Sequence, residues 1–137
     1  MRPFLLLATR ADDPAADDEY AGFLRYSGLM EHQLVRHRLE AEPLPEIDLD
    51  DWSGIIVGGS PFNVSDETKG ELQLRVEADL ARVAERVVAA DFPFLGACFG
   101  VGVLGSTHGG VVDRTFGEPP TSIEVTQTEA GQTDPLL

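Results

Sequence analysis

Cysteine, positive charge and long apolar runs are all scarce in this chain. Its one cysteine, Cys98, excludes an internal disulfide and suits a reducing cytoplasm. Ten Lys+Arg against twenty-four Asp+Glu leave a net charge of -14. Neither nucleic acid nor an anionic membrane would be attracted to such a surface, so neither is expected as a partner. The first apolar run, Phe4 to Ala8, is cut short by Arg10, Asp12 and Asp13, too soon for a signal-peptide core. No stretch approaches membrane-spanning length. No cluster of His, Cys and Asp has metal-ligand spacing and no P-loop is found, so neither metal nor cofactor is expected. What remains is an ordinary globular composition, 42% hydrophobic and 25% charged, over 137 residues. That length supports one domain, 1–137, with a sizeable core.

Strands and helices alternate along the chain. Phe4 to Ala8 is unbroken and apolar, as expected of a strand buried on both faces. The acidic segment Asp12 to Glu19, with Pro14, reads as a loop, and Tyr20 to Met30 as a helix with Phe23, Leu24 and Leu29 inward. Gln33 to Leu39 reads as a second strand, and Pro43 and Pro45 mark a loop. Ile55 to Val57 is a further buried strand that opens into Gly58-Gly59. Leu72, Val76, Leu80, Val83 and Val87 recur at helical spacing, with Ser65 and Asp66 as candidate caps. Pro93 stops that helix before the short strand that begins at Phe92 and stops at Cys98. A short glycine-rich helix to about Gly105 follows, then Gly109–Phe116 and Ser122–Thr126 as two more strands. This β–α order predicts an α/β, flavodoxin-like three-layer domain with a mostly parallel sheet. Functional groups then belong at the carboxyl ends of the strands, where Gly58-Gly59 and Cys98 both fall.

Gly96-Ala97-Cys98-Phe99-Gly100 has the form of a nucleophile elbow, a strand turning sharply into a helix with the reactive side chain at the apex. Small residues flank the apex because side chains there collide with the following helix. A thiolate at a helix N-terminus meets orphan N–H groups and the positive dipole end, which favour its charge. The bland alternative is a small buried hydrophobe, the usual fate of a free cysteine.

Together, Gly58-Gly59-Ser60-Pro61 and Gly96-Ala97-Cys98-Phe99-Gly100 resemble the class I, triad-type glutamine amidotransferases. Trp52 to Val57 resembles that family's strand before the glycine loop, Val64 and Asp66 suit its continuation, and Gly109-Gly110-Val111-Val112 resembles the strand after the elbow helix. The resemblance implies that Cys98 attacks the side-chain amide of glutamine and releases ammonia from a glutamyl thioester. It implies the backbone N–H groups of Phe99 and Gly59 as oxyanion donors, with Gly58, Ser60 and Gly100 against the substrate. It further implies a synthetase or acceptor partner for the ammonia, and no cofactor.

Two positions depart from the family. Gly102 stands where it usually has a glutamine. The family's catalytic base is a histidine in an H-x-E pattern, and His32, His37 and His108 are followed by Gln33-Leu34, Arg38-Leu39 and Gly109-Gly110. His108 is expected to point away from Cys98, and His32 and His37 to take surface roles. Thr133-Asp134-Pro135-Leu136-Leu137 reads as the start of a helix, so the chain reads as the N-terminal part of an amidotransferase-like domain with little glutaminase turnover of its own. Two other classes compete. One is an inactive binding or homo-oligomerisation module. The other is a dinucleotide site using Gly100, Gly102 and Gly105 as G-x-G-x-x-G, with Glu124 near the distance of a ribose-binding acid.

Overall fold

In a computed structural model, residues 2–117 and 121–135 of the chain are described. Strands β1 (Phe4–Ala8), β2 (Leu34–Arg38), β3 (Gly54–Val57) and β4 (Phe94–Gly96) form one sheet in the order β2-β1-β3-β4. Every pairing is parallel: Leu6 lies opposite Arg36 and Ile56, and Ile56 opposite Leu95. Among the described residues three α-helices accompany them, α1 (Asp13–Ser27), α2 (Glu71–Ala89) and α3 (Phe99–Thr107). This is an α/β, flavodoxin-like arrangement.

Strands β1 and β3 read as continuous apolar runs because both their faces are covered. Leu5, Leu7, Ile55 and Val57 point to the layer of Val76, Leu80, Val83 and Val87 on α2 and of Phe99 and Val103 on α3. Leu6, Leu34 and Ile56 point the other way, onto Tyr20, Phe23 and Leu24 of α1. Burial of each large aliphatic side chain stabilises the fold by roughly 1.5–3 kcal/mol. Leu72 lies off that face and is exposed. The loop before β3 is held from α2, where Arg75 donates to Leu39 O at 2.7 Å and Arg86 to Ile47 O at 2.6 Å. Buried Asp79 accepts the Leu44 N–H at 3.1 Å.

Four expectations require correction. The acidic stretch Asp12 to Glu19 is the beginning of α1 and not a loop. Asp12 caps the helix by accepting the Ala15 N–H at 3.0 Å, and Pro14 lies in the first turn, where an N–H has no helical partner to lose. Helix α2 is capped by Gly70 without a side-chain bond, so Ser65 and Asp66 do not cap it. Asp66 instead accepts the Asn63 N–H at 2.9 Å. Gly109–Phe116 and Ser122–Thr126 contain no strand: Val111, Phe116, Ile123 and Val125 are exposed, and no sheet pairs with them among the described residues. Finally, the expected helix start at Thr133 is the end of a single 3-10 turn, Gly131–Thr133, with Leu136 and Leu137 outside the described residues.

Candidate functional site

Strand β4 delivers the chain to Cys98, and α3 begins at the next residue, Phe99. Cys98 has φ 53 and ψ -100, a backbone conformation that a residue with a Cβ rarely adopts. Such a residue carries roughly 1–3 kcal/mol of strain, maintained by the structure around it. Here the surroundings are two close backbone approaches. A Cβ on Gly96 would lie 2.7 Å from the Gly100 carbonyl carbon, and one on Gly100 would lie 3.0 Å from Val57 Cβ. Ala97 N–H also donates to Val57 O at 2.9 Å, so the elbow is fastened to β3. The result is an exposed thiol at the N-terminus of a nine-residue helix. No hydrogen bond from the Phe99 N–H is found among the described residues, as expected for a donor in the first helical turn.

Cys98 opens into a cleft of about 630 Å³. Phe62, Val64, Val101 and Val112 supply its apolar walls, and Asp113 and Arg114 lie on its rim. The Phe62 ring stands edge-on to Phe99 at 6.4 Å. Arg114 pairs with Asp66 at 3.1 Å. The Asp66 carboxyl is held below the usual aspartate range, first by the Asn63 N–H, then by Gln73 and by the nearby Arg114 and Lys69. Asp113 is lowered as well, chiefly by the Thr115 N–H. A Cβ on Gly102 would meet Val64 Cγ2 at 3.1 Å, so that helix face is already closely packed.

The glycine loop after β3 is held from the opposite side of the sheet. Buried Thr9, just past β1, donates its hydroxyl to Gly59 O at 3.0 Å. The Gly59 N–H donates to Glu19 Oε1 at 2.8 Å, and Arg10 Nε donates to the same oxygen at 3.2 Å. A Cβ on Gly58 would lie 2.6 Å from Glu19 Oε2, and one on Gly59 2.5 Å from an Arg10 guanidinium nitrogen. The Glu19–Arg10 pair thus lies directly against the backbone of both glycines. Gly58, Gly59 and Ser60 are not among the residues lining the cleft at Cys98.

The fold has solved counterparts. A glutamine amidotransferase from Methylobacillus flagellatus superposes with a TM-score of 0.52 at 23% identity, covering 80% of this chain and 39% of that one. The crystal structure of SMU.1228c superposes with a TM-score of 0.56 at 20% identity, covering 80% of this chain and 44% of that one. What is shared is the α/β, flavodoxin-like fold. The chain spans less than half the length of either structure. No family model matches the sequence, and no curated protein matches it.

The three histidines lie apart from the thiol. His108 is the C-cap of α3, its Nδ1 3.0 Å from Leu104 O, so the length of the helix separates it from Cys98, about 15 Å at 1.5 Å per residue. His32 is exposed in the short 3-10 turn before β2. His37 differs from its expected surface role: it lies in β2 with a side chain only 15% exposed, Nδ1 3.6 Å from Glu42 and Nε2 buried without a partner. Gly100, Gly102 and Gly105 all lie inside α3 and form no phosphate-cradling loop before it. Among the described residues no group of His, Cys, Asp and Glu can hold a metal ion, and no helix is long and apolar enough to cross a membrane.

Thr9, Arg10 and Glu19 were not singled out from the sequence. The available signal was their location: Thr9 and Arg10 directly follow an apolar strand, at the carboxyl edge where an open α/β sheet places its working groups.

Proposed function

We propose that this chain carries the nucleophile part of a glutamine amidotransferase-like site, with Cys98 as the attacking thiolate. The observation that carries the reading is the exposed Cys98 at positive φ, at the N-terminus of α3 and in a cleft of its own. In this reading the sulfur attacks the side-chain carbonyl carbon of glutamine, the C–N bond breaks, and ammonia leaves with one added proton. Water then hydrolyses the glutamyl thioester to glutamate. The unpartnered Phe99 N–H is the oxyanion donor that the helix start supplies, and developing negative charge there is stabilised by a donor fixed in advance. Gly59 contributes through loop position, since its N–H already serves Glu19. Gly58, Ser60 and Gly100 shape the approach to the thiol. Arg114 and Asp113 on the rim suit the carboxylate and ammonium of an amino acid.

No histidine of this chain stands where it can give the leaving ammonia its proton. Turnover is therefore expected to be slow without a group supplied by an acceptor or synthetase partner. The absence of a base also favours a second reading, a binding module on the same fold that performs no chemistry. Intact mass after brief incubation with 6-diazo-5-oxo-norleucine separates the two. A single adduct, lost in Cys98→Ser and blocked by excess glutamine, supports the glutaminase reading. No native adduct, with normal labelling once the chain is unfolded, overturns it in favour of the binding module.

A further inference from the structure

The Gly59 peptide is gripped at both ends by residues from outside its own loop. Thr9 donates to its carbonyl and Glu19 accepts from its N–H, with Arg10 holding the carboxylate. The Glu19 side chain is only 12% exposed, and its second oxygen, Oε2, is buried with no partner, pressed against the Gly58 backbone. A buried carboxylate oxygen left unsatisfied is costly, and a neutral amide could make the same bond to Gly59 at less cost. The carboxylate instead serves two partners at once, Arg10 and the Gly59 N–H. From Gly59 the loop runs through Pro61 to Phe62 and Val64, which wall the cleft, and Phe62 abuts Phe99 beside Cys98.

We propose that Glu19 is a positioning residue for the nucleophile, fixing the glycine loop through the Gly59 N–H so that Phe62 and Val64 form the wall against which substrate meets Cys98. This rests on the glutaminase reading for its substrate but not for its geometry. It assigns Glu19 no contact with substrate. The same grip makes Gly59 an anchor, and the loop's substrate-facing surface begins after it.

The test measures inactivation of the full chain by 6-diazo-5-oxo-norleucine in wild type, Glu19→Ala and Glu19→Gln. Iodoacetamide alkylation serves as the control for thiol exposure, and the Gly59 amide resonance as a direct view of the grip. Glu19→Ala should slow inactivation by the glutamine analogue about tenfold or more while iodoacetamide reacts at an unchanged rate, because misplacing a wall costs orientation and not access. Glu19→Gln, which keeps an acceptor for the Gly59 N–H, should recover part of the loss. The Gly59 amide proton should move upfield and exchange faster in Glu19→Ala, with core amides such as Leu6 and Ile56 unmoved. Inactivation of Glu19→Ala at the wild-type rate overturns the proposal. Faster inactivation also overturns it, by making the carboxylate a plug on the donor. If wild type does not react with the analogue, the glutaminase reading fails instead. The grip is then judged by the Gly59 amide alone, and an unchanged resonance in Glu19→Ala overturns it.

Discussion

Ile55 and Ile123 share a β-branched side chain and an expected strand, and meet opposite fates. Each belongs to a short β-prone segment, Gly54–Val57 in one case and 122–126 in the other, yet Ile55 is 1% exposed and Ile123 64%. Ile55 lies in a strand with β1 on one side and β4 on the other, beneath α2. Ile123 has no strand beside it among the described residues. Alternation of apolar and polar side chains states only that a segment would suit a half-buried pleated surface. The strand forms where a neighbouring ladder takes up its N–H and C=O groups and a helix covers its face. The same contrast separates residues 4–107 as a whole, which share two buried layers, from residues 110–117 and 121–135, where Val111, Phe116, Ile123 and Val125 are exposed.

The largest test of that contrast is a pair of truncations read by urea unfolding. Leu80→Ala, at the buried face of α2, should cost about 2–5 kcal/mol through lost burial and the cavity left behind, whereas Ile123→Ala should change stability by less than about 0.5 kcal/mol. Equal costs would mean that residues 110–135 share the core. Next, Gly96→Ala places a Cβ 2.7 Å from Gly100 and should destabilise by about 1–3 kcal/mol. It should also abolish labelling of Cys98 by the glutamine analogue, because the elbow must open to admit the methyl group. Retained labelling at the wild-type rate would show that the elbow is less constrained than its contacts indicate.

Brief trypsin digestion followed by mass spectrometry sharpens the boundary. Cleavage after Arg114 should precede cleavage after Arg75 or Arg82 of α2 by about tenfold or more in rate, since backbone outside a cooperative unit needs no global opening. Initial cuts within α2 would reverse the ranking of the two regions.

The smallest effect concerns the seam between them, where Arg114 reaches Asp66 at 3.1 Å. The folded-state pKa of Asp66 is lowered, so its stabilising contribution is present above the ordinary aspartate range and is lost as pH falls through the folded value. Melting temperatures of wild type and Asp66→Asn should therefore differ near neutral pH and converge in acid. A constant difference across that range would show that the Asn63 and Arg114 contacts do not depend on the charge.

Much of the site was legible, for reasons that can be named residue by residue. Phe4–Ala8 and Ile55–Val57 announce themselves because parallel strands covered on both faces admit no polar residue. Val76, Leu80, Val83 and Val87 announce α2 because one helical stripe must face the sheet. Gly96, Cys98 and Gly100 announce the elbow because its backbone excludes side chains beside the apex. The beginning of α1 was concealed by its charge: Asp12, Asp13 and Pro14 suit a loop equally well until a capped first turn gives each a place. Glu19 was concealed for a related reason. One acidic residue among twenty-four Asp+Glu is unremarked in sequence, and its meaning comes from a glycine forty residues away.

The sequence by itself determined which segments could be buried and where a reactive side chain could sit, because apolar runs and glycine spacing are local constraints on backbone and solvent exposure. Tertiary structure alone decided which of the β-prone segments became strands, what lies against Gly58 and Gly59, and that the Gly59 N–H faces Glu19. Those outcomes depend on what lies opposite each group in space, and hydrogen bonds and close contacts form with the neighbour that the fold supplies, whatever its distance along the chain.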